Sequence, residues 1–121
     1  MKAVFKAEQA SFDVLFNDSL TAREIFHKLP FSSVISTWGD EIYFNIGFKA
    51  SAEGATMEVG IGDVAYWPQG KCLCVFFGPT PASTTQEPLP ASPVVLVGKT
   101  EASPDELRKI QLGEKITVEA G

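Results

Sequence analysis

Glu41 stands in the segment Thr37-Trp-Gly-Asp-Glu-Ile-Tyr-Phe44, a carboxyl between Trp38 and Tyr43. Aromatic surroundings exclude water, penalise the charged form and raise a carboxyl's pKa. Such a group can pass a proton or anchor a ligand amine. The competing reading is a solvated surface carboxylate beside a hairpin turn. Around it in the sequence are Trp38, Tyr43, Tyr66, Trp67, Phe76 and Phe77. Rings of this kind stack on a proline ring, a peptide or a flat metabolite, or else fill a core. Tyr43, Tyr66 and Trp67 combine a polar handle with a position near a turn, so they join Glu41 as candidate ligand contacts.

The remaining reactive side chains read as structural. Cys72 and Cys74 are two apart, so on a strand they share a face without converging. Their spacing lies at the outer limit for a disulfide. The one histidine, His27, falls on a different element, so no metal site is expected. The bland reading is two reduced, buried cysteines and a surface histidine. Asp40 and Asp63 read as turn residues. No phosphate loop, dinucleotide fingerprint or nucleophilic triad is present, and no catalytic residue or cofactor is assigned.

Many short strands must position these groups. Period-two patterning marks strands at residues 2–6, 11–16, 33–38, 41–46, 63–67, 71–77, 94–99 and 115–119, with a short one at 57–59. Gly39-Asp40 suits a type II′ hairpin, with Glu41, Tyr43 and Asn45 on one face and Ile42, Phe44 and Ile46 on the other. Cys72 to Phe77 is apolar on both faces, so both must be covered. Thr21-Ala-Arg-Glu24 has capping-box form, with Leu20 and Ile25 at the staple positions. Pro30 ends that helix. Ser103-Pro-Asp-Glu106 is a second capping box, with Leu107 and Ile110 inward and Gly113 as the closing cap. Residues 78–93 carry Pro79, Pro81, Pro88, Pro90 and Pro93. At that length an unstructured loop is uncommon, and its prolines favour an ordered one.

The chain has 121 residues, 45% hydrophobic and 21% charged, which suits one domain over 1–121 with a real core. Its net charge of −5, with no basic cluster, argues against nucleic acid and anionic membranes as partners. Charge enters too early for a signal peptide, and no apolar run approaches a membrane span, so the expected compartment is the cytoplasm.

Strand-rich order with two capped helices predicts a mainly β, closed antiparallel barrel of about eight strands. Three segments sharpen this. They are Thr37 to Phe44, then Gly62-Asp-Val-Ala-Tyr-Trp-Pro-Gln-Gly-Lys-Cys-Leu-Cys-Val-Phe-Phe-Gly-Pro-Thr-Pro81, then Pro90-Ala-Ser-Pro-Val-Val-Leu-Val-Gly-Lys99. Together they resemble a family of small prokaryotic cyclophilin-like proteins of unknown function. The resemblance spans nearly the whole chain and implies a barrel plugged by two helices. Gln69 stands where that family often has a second proline, a departure expected to loosen the turn.

The likeness to true cyclophilins is weaker. Those enzymes set an arginine near a Phe-Met-x-Gln segment to donate toward the twisting prolyl amide, across a barrier of ~18–20 kcal/mol. Here Arg23 and Arg108 fall on expected helices, and no Phe-Met-x-Gln segment exists. Phe76-Phe77 resembles the phenylalanine pair of the cyclophilin proline pocket. The leading expectation is a protein holding a small molecule or extended peptide against Glu41, Tyr43, Tyr66, Trp67 and Phe77. The alternatives are a divergent prolyl isomerase, a small metabolic enzyme using Glu41, or a homo-oligomeric subunit with an aromatic interface.

Overall fold

Alternation sets the first hairpin. In the computed structural model, which describes residues 1–121, β1 (Lys2–Lys6) turns Ala3 and Phe5 inward. β2 (Ser11–Phe16) turns Phe12, Val14 and Phe16 inward and leaves Ser11, Asp13 and Leu15 in solvent. The two pair antiparallel with Phe5 opposite Phe12, their rings 5.3 Å apart. Phe5 also meets Phe16 and Phe44 edge-on, at 6.5 and 5.8 Å. Aromatic pairs in such geometry are worth ~0.5–1.5 kcal/mol beyond their burial, so this cluster anchors the barrel core.

α1 (Leu20–His27) starts two residues earlier than its sequence suggests. Ser19, not Thr21, is the cap: its hydroxyl accepts from the Ala22 N–H at 3.1 Å. Thr21 and Glu24 are thereby freed for a different task. Thr21 donates to the Ser51 carbonyl, while the Glu24 carboxylate accepts from the Ser51 amide and hydroxyl. These bonds tie the loop after the fifth strand to α1 and hold the Glu24 pKa below its ordinary value, the Ser51 amide contributing most. Leu20 is 49% exposed, so the expected Leu20–Ile25 staple does not form, although Ile25 is buried.

The expected strand over 33–38 is two strands. β3 (Phe31–Val34) pairs with the last strand, and β4 (Ser36–Thr37) pairs with β5 (Glu41–Asn45). Ile35, buried between them, donates its N–H to the Glu114 carbonyl and accepts from Gly113. Gly39 takes φ 60° at the hairpin tip, as its type II′ assignment requires. Residues 57–59 form no strand; Thr56 alone bridges to Val94. β6 (Asp63–Trp67) and β7 (Cys72–Phe76) make the central hairpin, with Lys71 in the turn at φ 51°. β8 (Val95–Lys99), α2 (Pro104–Arg108) and β9 (Lys115–Ala120) complete the chain.

All pairings are antiparallel, in the order β3-β9-β1-β2-β8-β6-β7-β5-β4. The two end strands are successive halves of one segment, so the nine-stranded sheet curls into a nearly closed barrel. At α2 the Ser103 hydroxyl caps the Glu106 N–H, but the Glu106 carboxylate pairs with Lys109 instead of returning to the cap. Leu107 and Ile110 are buried, as their spacing predicts. Gly113, at φ 93°, turns the chain into β9 and does not cap the helix, whose C-cap is Lys109. Beside it, the buried Glu114 carboxylate accepts from the backbone N–H groups of Glu8, Gln9 and Gln111 at 2.8, 2.9 and 2.6 Å. Glu8 returns the bond by accepting from the Lys115 N–H at 3.0 Å. No helix is long and apolar enough to cross a membrane.

Every residue of β7 is buried, because each face has its own cover. Leu73 and Val75 enter the main core with Ile42, Phe44, Val64 and Tyr66. Cys72, Cys74 and Phe76 form a second cluster on the outer face with Ala65 and Val94.

Candidate functional site

Strand alternation brings the outward residues of three neighbouring strands together. Glu41 lies opposite Phe76, Tyr43 opposite Cys74, and Trp67 opposite Cys72. The proline-rich segment 78–93 folds back over this face. Its shape is held internally: the Thr80 hydroxyl donates to the Leu89 carbonyl at 2.6 Å, and the Thr80 and Ser83 backbones and side chains bond one another. It is tied to the sheet by a relay in which Trp67 Nε1 donates to Ser92 Oγ at 2.7 Å and Ser92 Oγ donates to Gln69 Oε1 at 3.0 Å. Gln69 thus fastens the turn that its departure from proline was expected to loosen.

Between sheet and loop lies a cavity of about 230 Å³. Trp38, Glu41, Tyr43, Trp67, Cys74 and Phe76 line it from the sheet side, and Pro90, Ala91, Ser92 and Val94 from the loop side. Tyr43 and Trp67 meet at 90° with ring centroids 6.3 Å apart, forming a corner of the wall.

Glu41 is the one carboxyl in this lining and is only 6% exposed. Burial pushes its pKa up to about 7, opposed weakly by a hydrogen bond with the Cys74 thiol. At neutral pH it therefore exists as both acid and carboxylate, able to give or take a proton or to pair with a cation. The thiols are driven the other way from reactivity. Burial, and then the neighbouring Glu41 charge, hold Cys74 well above its ordinary pKa. Burial and Glu41 also raise Cys72, whose Sγ donates to the Gly70 carbonyl at 3.2 Å. A thiol is nucleophilic as thiolate, so both act as packing groups. Both are free and buried, as their spacing predicts. No group of three or more His, Cys, Asp or Glu side chains is placed to hold a metal ion.

Of the five sequence-derived candidates, Glu41, Tyr43 and Trp67 meet at the cavity, while Tyr66 and Phe77 lie in the main core. The cause is strand alternation: Tyr66 precedes Trp67 and Phe77 follows Phe76, so each neighbour faces the opposite side. Tyr66 is fully buried, and its hydroxyl accepts from the Ala50 N–H at 3.0 Å. Trp38, Cys74 and Phe76 join them at the cavity, and the alternation of Cys72, Cys74 and Phe76 opposite Glu41 and Tyr43 carries the signal for the last two. The loop wall from Pro90 to Val94 had no local signal, because it arrives from far along the chain.

The other reactive residues lie elsewhere. His27 is exposed at the end of α1. Neither Arg23 nor Arg108 lines the cavity. Arg108 donates to Asp40 Oδ2 through Nε at 3.2 Å and Nη2 at 3.0 Å, and to Asp105 at 2.9 Å. Asp63 accepts from the Gly60 N–H at 2.7 Å, the turn role expected of it.

Comparison with known proteins follows the same lines. A family model described as "Cyclophilin-like" matches residues 1–119. A comparison with curated proteins gives no match. Among solved structures, the chain is similar to the solution structure of the hypothetical protein AF2241 from Archaeoglobus fulgidus. The two share 36% identity with a TM-score of 0.86, covering 100% of this chain and 95% of that one. The chain belongs to the cyclophilin-like family.

Proposed function

We propose that this member of the cyclophilin-like family is a binding protein whose ligand enters the cavity between the outer sheet face and the 78–93 loop. One observation carries the reading: a buried carboxyl, Glu41, sits in an otherwise apolar, aromatic-walled cavity. Its protein partner is the Cys74 thiol, a weak donor that offsets only part of the desolvation. Glu41, Tyr43 and Trp67 make the contacts, with Trp38 and Phe76 beside them. Tyr66 and Phe77 support the wall from the barrel interior.

At about 230 Å³ the cavity lies just below the ~300–1,000 Å³ of drug-sized sites. It suits one ring or branched group, as a small molecule or as a single residue of an extended peptide. Tyr43 and Trp67 are half-buried and Phe76 is buried, which favours a ligand pocket over a flat protein-docking patch.

The elevated Glu41 pKa favours one second reading, an enzyme in which this carboxyl shuttles a proton on the bound molecule. A prolyl isomerase has less support. The lining offers no arginine, and Trp67 Nε1 is already engaged by Ser92.

The test is a thermal-shift screen of metabolites and proline peptides, paired with a coupled isomerisation assay. A ligand at 100 times its Kd adds ~2.7 kcal/mol, readily visible in a domain of this size. Ala91 is exposed at the cavity wall, so Ala91→Trp plugs the pocket without entering the core. Stabilisation of the wild type that disappears in Ala91→Trp supports the reading. Stabilisation that survives the plug places the ligand elsewhere and overturns it.

A further inference from the structure

Resting on that binding reading, we infer that the cavity selects a small organic cation bearing an alkylated ammonium group. The lining has one carboxyl and no lysine, arginine or histidine. Tyr43 and Trp67 meet at a right angle, and Trp38 is a third aromatic residue of the lining. Ring faces carry negative quadrupole potential, and a desolvated cation gains most from them. An anionic ligand would meet Glu41 repulsively. A neutral ligand without a donor would bury Glu41 further without supplying a partner. A cation completes the carboxylate and uses the rings.

The alkylation follows from the shortage of acceptors. A primary ammonium brings three N–H donors. Beyond Glu41, the polar side-chain atoms of the lining are few, and Ser92 Oγ already bonds both Trp67 and Gln69. A tertiary or quaternary ammonium presents methyl groups to the rings and leaves no donor orphaned.

Binding must follow the ionisation of Glu41. The titratable groups around it are the Cys74 and Cys72 thiols on β7 and Tyr43 on its own strand. Asp40, next in the chain, is turned to Arg108. The loop residues of the lining carry no titratable side chain. With the Glu41 pKa at about 7, the competent carboxylate fraction falls about 30-fold from pH 8 to pH 5.5, and apparent affinity falls with it.

Isothermal titration with choline, tetramethylammonium and the neutral isostere 3,3-dimethylbutan-1-ol, at pH 8 and pH 5.5, tests this. The expected result is choline at least about tenfold tighter than the isostere at pH 8, weakening about 30-fold at pH 5.5. Glu41→Gln should erase the pH dependence and cut the preference to the share supplied by the rings, while still melting cooperatively. Trp38→Leu should weaken choline more than the isostere, and it gives a second reading should Glu41→Gln misfold. Equal binding of isostere and cation, or binding of neutral rings and proline peptides alone, overturns the cation inference and leaves the pocket a ligand site. Failure of every probe, with no hit in the thermal-shift screen, removes both.

Discussion

Replacing Glu41 by glutamine should stabilise the protein in neutral and alkaline solution and leave it nearly unchanged in acid. The carboxyl moves from an ordinary 4.5 to about 7 on folding, chiefly because burial strips its water. At ~1.36 kcal/mol per pKa unit, this is about 3 kcal/mol of proton-linked free energy. The folded state holds the proton more tightly than the unfolded chain. The contribution is therefore complete below pH 4.5, declines as pH rises from 4.5 to about 7, and is gone above that. Glutamine keeps the shape and has no proton to lose. The stability difference between variant and wild type should grow by about 3 kcal/mol from pH 4 to pH 8, equivalent to a melting shift on the order of 10 °C. Urea denaturation of both proteins across that range measures it, and other carboxylates cancel in the difference. A gap that stays constant from pH 4 to pH 8 would refute the argument, as would a side-chain carboxyl NMR titration placing Glu41 near 4.5.

Three further outcomes are expected. Glu114→Ala strips the acceptor from three backbone N–H groups and should cost about 3 kcal/mol, with Glu114→Gln costing less; a loss under about 1 kcal/mol in urea would show that water replaces the carboxylate freely. Cys72 and Cys74 should resist iodoacetamide at pH 8 in the folded protein and react fully in denaturant, by intact mass; alkylation at the rate of a free thiol would contradict their burial and raised pKa values. A Cβ at Gly78 would collide with the Asp40 carboxylate, so Gly78→Ala should cost ~1–3 kcal/mol in denaturant melts and loosen the Asp40–Arg108 pair; unchanged stability would mean that the hairpin tip moves aside at no cost.

The barrel was legible because strands with one buried face advertise it: Phe12, Val14 and Phe16 alternate with Ser11, Asp13 and Leu15. The break at Ile35 was not legible. Residues 33–38 read as continuous β, and only the competition of β9 and β5 for the segment from Phe31 to Thr37 splits it. The first helix cap was misplaced because Ser19 and Thr21 are both good caps, and the demand of Ser51 for bonding partners decides between them. Within the site, Glu41, Tyr43 and Trp67 were found by residue type and turn proximity. Tyr66 and Phe77 share those features, but strand alternation turns them into the core. The roof from Pro90 to Val94 depends on a return across the sheet that no local pattern encodes.

The seam at Ile35 has a consequence for how the chain is made. β3 reaches the sheet only through β9, and β9 also occupies the open side of β1. Until residues 115–120 leave the ribosome, a nascent chain holds two strands with unmated backbones and a gutter in place of a barrel. Closure therefore waits for residues 115–120, which act as a zip between β1 and β3. A chain cut before β9 would leave two sticky edges on one polypeptide, the open sides of β1 and β3, and so a route to aggregation.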